Sequence, residues 1–117
     1  MMAAIRAAMG KEEVVLIEQN ATLGRKLLLS GKGRCNITNV CDLESFLKRF
    51  SKSGLFLRDS FKHFFYPELI EFFEKRHLKL KIERQNRVFP RTDRAASVLL
   101  VLRRELAKKR VKVLCKT

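Results

Sequence analysis

Residues 27–39, LLLSGKGRCNITN, join a greasy run to a dense polar knot. Gly31 and Gly33 let backbone N–H groups approach a ligand with no Cβ in the way. Consecutive amides of this kind form anion-binding nests. Arg34 adds a planar, permanently charged fork suited to phosphate oxygens. Ser30, Asn36, Thr38 and Asn39 offer donors and acceptors at short reach, and Arg25 and Lys26 add positive field just upstream. The chemistry that fits this set is the holding of a phosphorylated ligand. A polar loop that turns sharply has the same composition, and local composition does not separate the two.

Glu18 closes the apolar run VVLIE, residues 14–18. An acid at the carboxyl end of a buried strand is costly without a partner. In dinucleotide-binding sheets that position takes a ribose hydroxyl, about 20 residues past a glycine-rich turn. A solvated strand end reads the same way. Cys35 and Cys41 are separated by five residues, one more than the pair of a flavin disulfide reductase. His63 and His77 sit at no metal-ligand spacing, and both read as surface or helix-end histidines. No catalytic acid or base is assigned, and no metal is expected.

The elements that must position these residues follow from the periodicity. MMAAIRAAM, 1–9, is a run of strong helix formers with Gly10 at the C-cap position. VVLIE reads as a strand buried on both faces of a parallel sheet. Helix, link and strand then make the second half of a βαβ unit. Asp42 starts a short helix over 42–50, and Ser51 to Gly54 break it. A helical piece over 59–65, capped by Asp59 or Ser60, precedes another over 67–77 with Pro67 in its first turn. Phe61, Phe64, Phe65, Leu69, Phe72 and Phe73 share one helical face, which is expected to be buried. Residues 78–83 and 87–90 are expected to form a hairpin turned by Gln85-Asn86. A helix from Asp93 to about Arg110, with Ala95, Val98, Leu99, Leu102 and Leu106 inward, leads to a strand over 111–115. The order is that of an α/β fold.

The composition bounds the partners. The chain has 117 residues, the length of one domain. It carries 26 Lys and Arg against 12 Asp and Glu, a net charge of +14 that attracts anions. Three cysteines with no CxxC pattern suggest free thiols and a cytoplasmic setting. No apolar run reaches the roughly 20 residues of a membrane span, so no membrane partner is expected. A small basic nucleic-acid-binding protein is the main alternative reading of the charge. Against it, the Phe residues do not interleave an exposed basic patch, and no helix-turn-helix, RNA-recognition or zinc pattern appears. A non-enzymatic remnant that only contacts other chains is a third reading.

VVLIEQNATLGRKLLLSGKGRCNITN, then NRVFPRTDRAASVLLVLRREL, then VKVL, together resemble the BaiN/RdsA-type NAD(P)/FAD-dependent oxidoreductases, also known as aminoacetone oxidase family FAD-binding enzymes. The family pattern has an acid-ended strand, GxKxxxSGGGRCNxTN, and later GRVFP followed by a helix. The resemblance covers most of the chain. It implies a Rossmann-like FAD-binding domain with an inserted helical patch and β-hairpin. It further implies hydride transfer through FAD, with NAD(P)H as a possible reductant and an organic molecule or oxygen as acceptor.

By that resemblance Glu18 holds the adenosine ribose, and Gly24, Arg25 and Lys26 open the segment leading to the cofactor. Ser30, Gly31, Gly33, Arg34, Cys35 and Asn36 line the pyrophosphate and the flavin edge, and Thr38 and Asn39 finish the loop. Arg87, Val88, Phe89 and Pro90 match the second motif, toward the flavin or substrate. Two positions depart from the pattern. Lys32 replaces the middle glycine of GGG, which is costly only if the backbone there has positive φ. Asn86 stands where the family has Gly before RVFP.

The family's first strand and Gly-rich turn have no counterpart here, and neither do its further domains. The expectation is therefore a fragment of one FAD-binding domain: a nucleotide-binding part at 1–41, a helical and hairpin insertion at 42–92, and a helix with a return strand at 93–117. Its partners are then the dinucleotide and the remaining domains of a parent enzyme. Alone, it is expected to bind FAD weakly or not at all, to be inactive, and to aggregate through an exposed strand edge.

Overall fold

A computed structural model describes all residues 1–117. The chain divides into two compact units, one of Met1–Cys35 with Asp93–Thr117 and the other of Asn36–Thr92.

In the first unit, helix α1 spans Met2–Ala7 and strand β1 spans Val15–Glu18. A short helix α2, Arg25–Leu29, follows Gly24. The chain returns to this unit as the long helix α6, Ala95–Lys108, and strand β5, Lys112–Cys115. Strands β1 and β5 pair in parallel, Val15 beside Lys112 and Glu18 beside Cys115. Ala4 and Ile5 of α1 are buried with Ala95, Val98, Leu99, Leu102 and Leu106 of α6. Those five are the positions that the 3.6-residue period assigns to the inner face. Burying one of the Val or Leu side chains among them contributes about 1.5–3 kcal/mol. Gly24 sits at φ 86°, and a Cβ there would lie 2.9 Å from Leu99 Cδ2. This glycine lets the start of α2 close on α6.

One expectation for β1 is overturned. The strand is not buried on both faces: Ile17 is 63% exposed, and Val15 and the neighbouring Leu114 are open on the same side. A strand alternates its side chains between two faces. In a sheet of two strands, one face of this pair is uncovered.

In the second unit, strand β2 is Thr38–Asn39, helix α3 is Leu43–Leu47, helix α4 is Gly54–His63 and helix α5 is Tyr66–Glu74. Strands β3, Leu80–Glu83, and β4, Arg87–Pro90, follow. The expected hairpin forms with Ile82 opposite Val88, and its turn carries Gln85 at φ 61° and Asn86 at φ 56°. Asn tolerates this region better than any residue but Gly. The sheet has a third strand that periodicity did not reveal, because β2 has only two residues. It pairs antiparallel with β4, giving the order β2-β4-β3.

Asp42 caps α3 as expected, its Oδ1 accepting from the Ser45 N–H at 2.8 Å. Pro67 lies in the first turn of α5, and Glu68 Oε2 accepts from the Phe65 N–H at 2.8 Å. The helix expected over 59–65 instead begins at Gly54, so Asp59 and Ser60 lie inside it and cap nothing. The single phenylalanine face is also corrected. Phe64 turns extended at φ −152° and breaks the helical register between α4 and α5. Phe46, Phe61 and Phe65 stack edge to face with centroids 5.0–5.6 Å apart, while Phe73 is buried and Phe64 is exposed. No helix is long and apolar enough to cross a membrane.

Candidate functional site

Glu18 stands at the carboxyl end of β1, the end at which open α/β sheets bind ligands. Its Oε1 accepts from the Asn20 N–H at 2.8 Å and from Asn20 Nδ2 at 2.6 Å. The backbone donor, and then the side-chain donor, hold the carboxyl below its usual range. The acid is therefore ionised at neutral pH. Both bonds fall on one oxygen. The carboxyl ends of the two strands are tied together by Lys116 N–H donating to the Asn20 carbonyl at 3.1 Å. Arg25, in the first turn of α2, reaches Asn20 Oδ1 at 3.4 Å, and Lys26 follows it on the helix.

The knot begins where α2 ends. Ser30 Oγ donates to the Leu27 carbonyl at 2.7 Å. Then three successive residues turn left-handed: Gly31 at φ 56°, Lys32 at φ 56° and Gly33 at φ 83°. Arg34 N–H donates back to the Gly31 carbonyl at 3.2 Å and Cys35 N–H to the Ser30 carbonyl at 3.0 Å. The result is a tight arch over residues 30–35. Lys32 occupies the left-handed region where a side chain is strained, so the departure noted at this position is a costly one. Cys35, at φ 62°, is 6% exposed, and burial pushes its thiol up from the ordinary range.

Arg34 does not point freely to solvent. Its Nε and Nη2 donate to Asp93 Oδ1 at 2.8 and 2.6 Å. Asp93 was expected to open the following helix. Instead the helix starts at Ala95, and Asp93, itself at φ 54°, faces Arg34. The sequence gives neither Asp93 nor Asn20 a place in the site. Asp93 sits two residues before the helix, where an acid reads as a cap, and nothing local links it to an arginine 59 positions away.

Asn36, Thr38 and Asn39 belong to the second unit, as do Arg87, Val88, Phe89 and Pro90. The two motifs meet there in one sheet. Thr38 pairs with Val88 and Asn39 with Arg87. Ile37 N–H donates to the Val88 carbonyl at 2.8 Å and Asn39 Nδ2 to the Gln85 carbonyl at 2.9 Å. With its amide oriented to suit its neighbours, Asn36 donates to the Thr38 and Val88 carbonyls at 3.0 and 3.2 Å. These asparagines hold the tight turn and the short strand. Val88, Phe89 and Pro90 are buried, so their side chains serve the core. Arg87 is half-buried with its guanidinium carbon 5.8 Å from the Phe89 ring centre.

Comparison with known proteins places this arrangement. The family described as HI0933-like protein Rossmann domain matches residues 1–117. The 3-dehydro-bile acid delta(4,6)-reductase of Clostridium scindens (strain ATCC 35704 / DSM 5676 / VPI 13733 / 19) is 39% identical over 115 residues. The match covers 96% of this chain and 27% of that reductase.

Proposed function

Because this chain belongs to the HI0933-like Rossmann domain family, we propose that it is the dinucleotide-binding part of an oxidoreductase whose cofactor is FAD. The observation that carries this reading is the presence, in one unit, of an acid at the carboxyl end of a parallel strand and of the left-handed arch at Gly31–Gly33. The donor set suits the group. A carboxylate is an acceptor for ribose hydroxyls, and Glu18 already has Oε1 fixed by Asn20, leaving Oε2 to take such a bond. Glycine amides with no Cβ admit a diphosphate, and Arg25, Lys26 and Lys32 add positive field.

In this reading Glu18 orients the adenosine end, the arch faces the diphosphate, and Ser30 and Cys35 stabilise the arch from within. Within the second unit, Thr38 and Asn39 pair with Val88 and Arg87, so the end of the first motif and the second motif share one sheet. Bound flavin supplies hydride transfer, with NAD(P)H the proposed reductant and an organic molecule or oxygen the acceptor. The chain spans 27% of the reductase that it matches, so catalytic turnover is proposed only for a protein of that extent. The relative named as a reductase is a precedent for that class of reaction.

The test is titration of the chain with FAD, followed by flavin fluorescence and by backbone amide shifts. We expect weak binding, with Kd on the order of 100 µM. The shifts should fall at Glu18, Asn20 and residues 30–36. Gly33→Val, which places a branched side chain at φ 83°, should abolish them, and Glu18→Gln should weaken them. Shifts confined to other surfaces, or none at millimolar FAD, defeat the proposal.

A further inference from the structure

We propose that Asp93 is a positioning residue: by gripping Arg34 it holds the left-handed arch at residues 30–35 in its binding shape. The inference rests on reading that arch as the diphosphate cradle.

Two left-handed positions, Cys35 next to Arg34 and Asp93 itself, flank an ion pair that joins segments 59 residues apart. Nε and Nη2 of the guanidinium converge on one carboxylate oxygen at 2.8 and 2.6 Å. The geometry is that of a charge-assisted fork, which fixes orientation as well as distance. The arch is also held from within by Ser30, whose Oγ donates to the Leu27 carbonyl, and by the buried Cys35. Its two cross-arch hydrogen bonds, Arg34 N–H to Gly31 and Cys35 N–H to Ser30, both close beside the guanidinium-bearing residue. Positive φ at Lys32 and Cys35, which carry a Cβ, is unfavourable unless something over-determines it. Arg34 therefore acts through its carboxylate partner on the backbone, and the amides of the arch are the groups that face an anion. A different role is imaginable for the same pair, in which Asp93 competes with phosphate for Arg34. The two roles predict opposite signs.

Asp93→Asn separates them, since Asn keeps the preference for positive φ and removes only the charge. Arg34→Gln, Arg34→Lys and the double variant Arg34→Gln/Asp93→Asn complete the set. Exchange of the Arg34 and Cys35 amides, which close the arch, is measured by NMR without ligand, with the amides of Val98–Leu106 reporting that the fold is intact. Each single loss should speed exchange in the arch about threefold. The double variant should add nothing further, and Arg34→Lys should restore part of the protection. With FAD as probe, Asp93→Asn should weaken binding by a similar factor.

Unchanged exchange in the arch, or tighter FAD binding by Asp93→Asn, overturns the proposal. If the wild-type chain binds no FAD at all, the cradle reading fails but the exchange measurement still decides whether Asp93 positions the arch.

Discussion

At Lys32 the backbone is left-handed at φ 56° and ψ 41°, a conformation that penalises any residue with a Cβ by about 1–2 kcal/mol. Lys32→Gly should relieve that strain and, after the entropy glycine adds to the unfolded chain, stabilise the first unit by about 0.5–1 kcal/mol. Lys32→Ala should be close to neutral, because alanine is strained in the same way. Thermal midpoints of the three proteins check this, and a gain with alanine equal to that with glycine would contradict it. Cys35 makes a second prediction at this scale. Burial raises its thiol pKa, and only the thiolate attacks a disulfide reagent. In the folded chain at pH 8, Cys41 and Cys115 should react fast with a disulfide reagent and Cys35 slowly. Denaturant should make all three equal, and three fast thiols in the native protein would count against the buried placement.

At the scale of the element, α4 depends on its first residue. A Cβ at Gly54 would collide with the Leu47 carbonyl oxygen and lie 3.0 Å from its carbonyl carbon, with backbone on both sides of the contact. Gly54→Ala should therefore destabilise the second unit by about 1–3 kcal/mol, measured as the shift in urea midpoint. Asp42 governs α3 through charge. The Ser45 hydroxyl, and then the Ser45 N–H, lower the Asp42 pKa, so its contribution is present above the ordinary carboxylate range and is lost as pH falls through the lowered value. Asp42→Asn keeps a capping oxygen without the titration. It should flatten part of the stability loss in acid and leave the neutral-pH behaviour close to that of the wild type.

For the whole molecule, the open face of the β1–β5 pair and a charge of +14 act in opposite directions. Val15, Ile17 and Leu114 expose apolar surface beside unpaired strand edges, which favours association. Self-repulsion among basic residues opposes it until salt screens them. The chain should stay dispersed at low ionic strength and associate as salt rises. Ile17→Lys should suppress that association with little change in stability, as light scattering would record. Association unaffected by this substitution would place the sticky surface elsewhere.

Much of this was legible in the residues alone. The inner face of α6 followed from its 3.6-residue period, the Gln85-Asn86 turn from the tolerance of asparagine for positive φ, and the α3 cap from Asp42, because each is a local property of the chain. The string SGKGRCNITN and the acid after VVLI carried the resemblance to a flavoprotein family, whereas by residue type alone they fit a phosphate-holding loop and a sharply turning polar loop equally well. Tertiary structure decided the rest. It alone placed Asp93 on Arg34, paired Thr38 and Asn39 as a strand against the RVFP segment, buried Val88, Phe89 and Pro90, and left one face of β1 open. These are contacts between residues far apart along the chain, set by which surfaces the folded backbone brings together, and no local pattern encodes them.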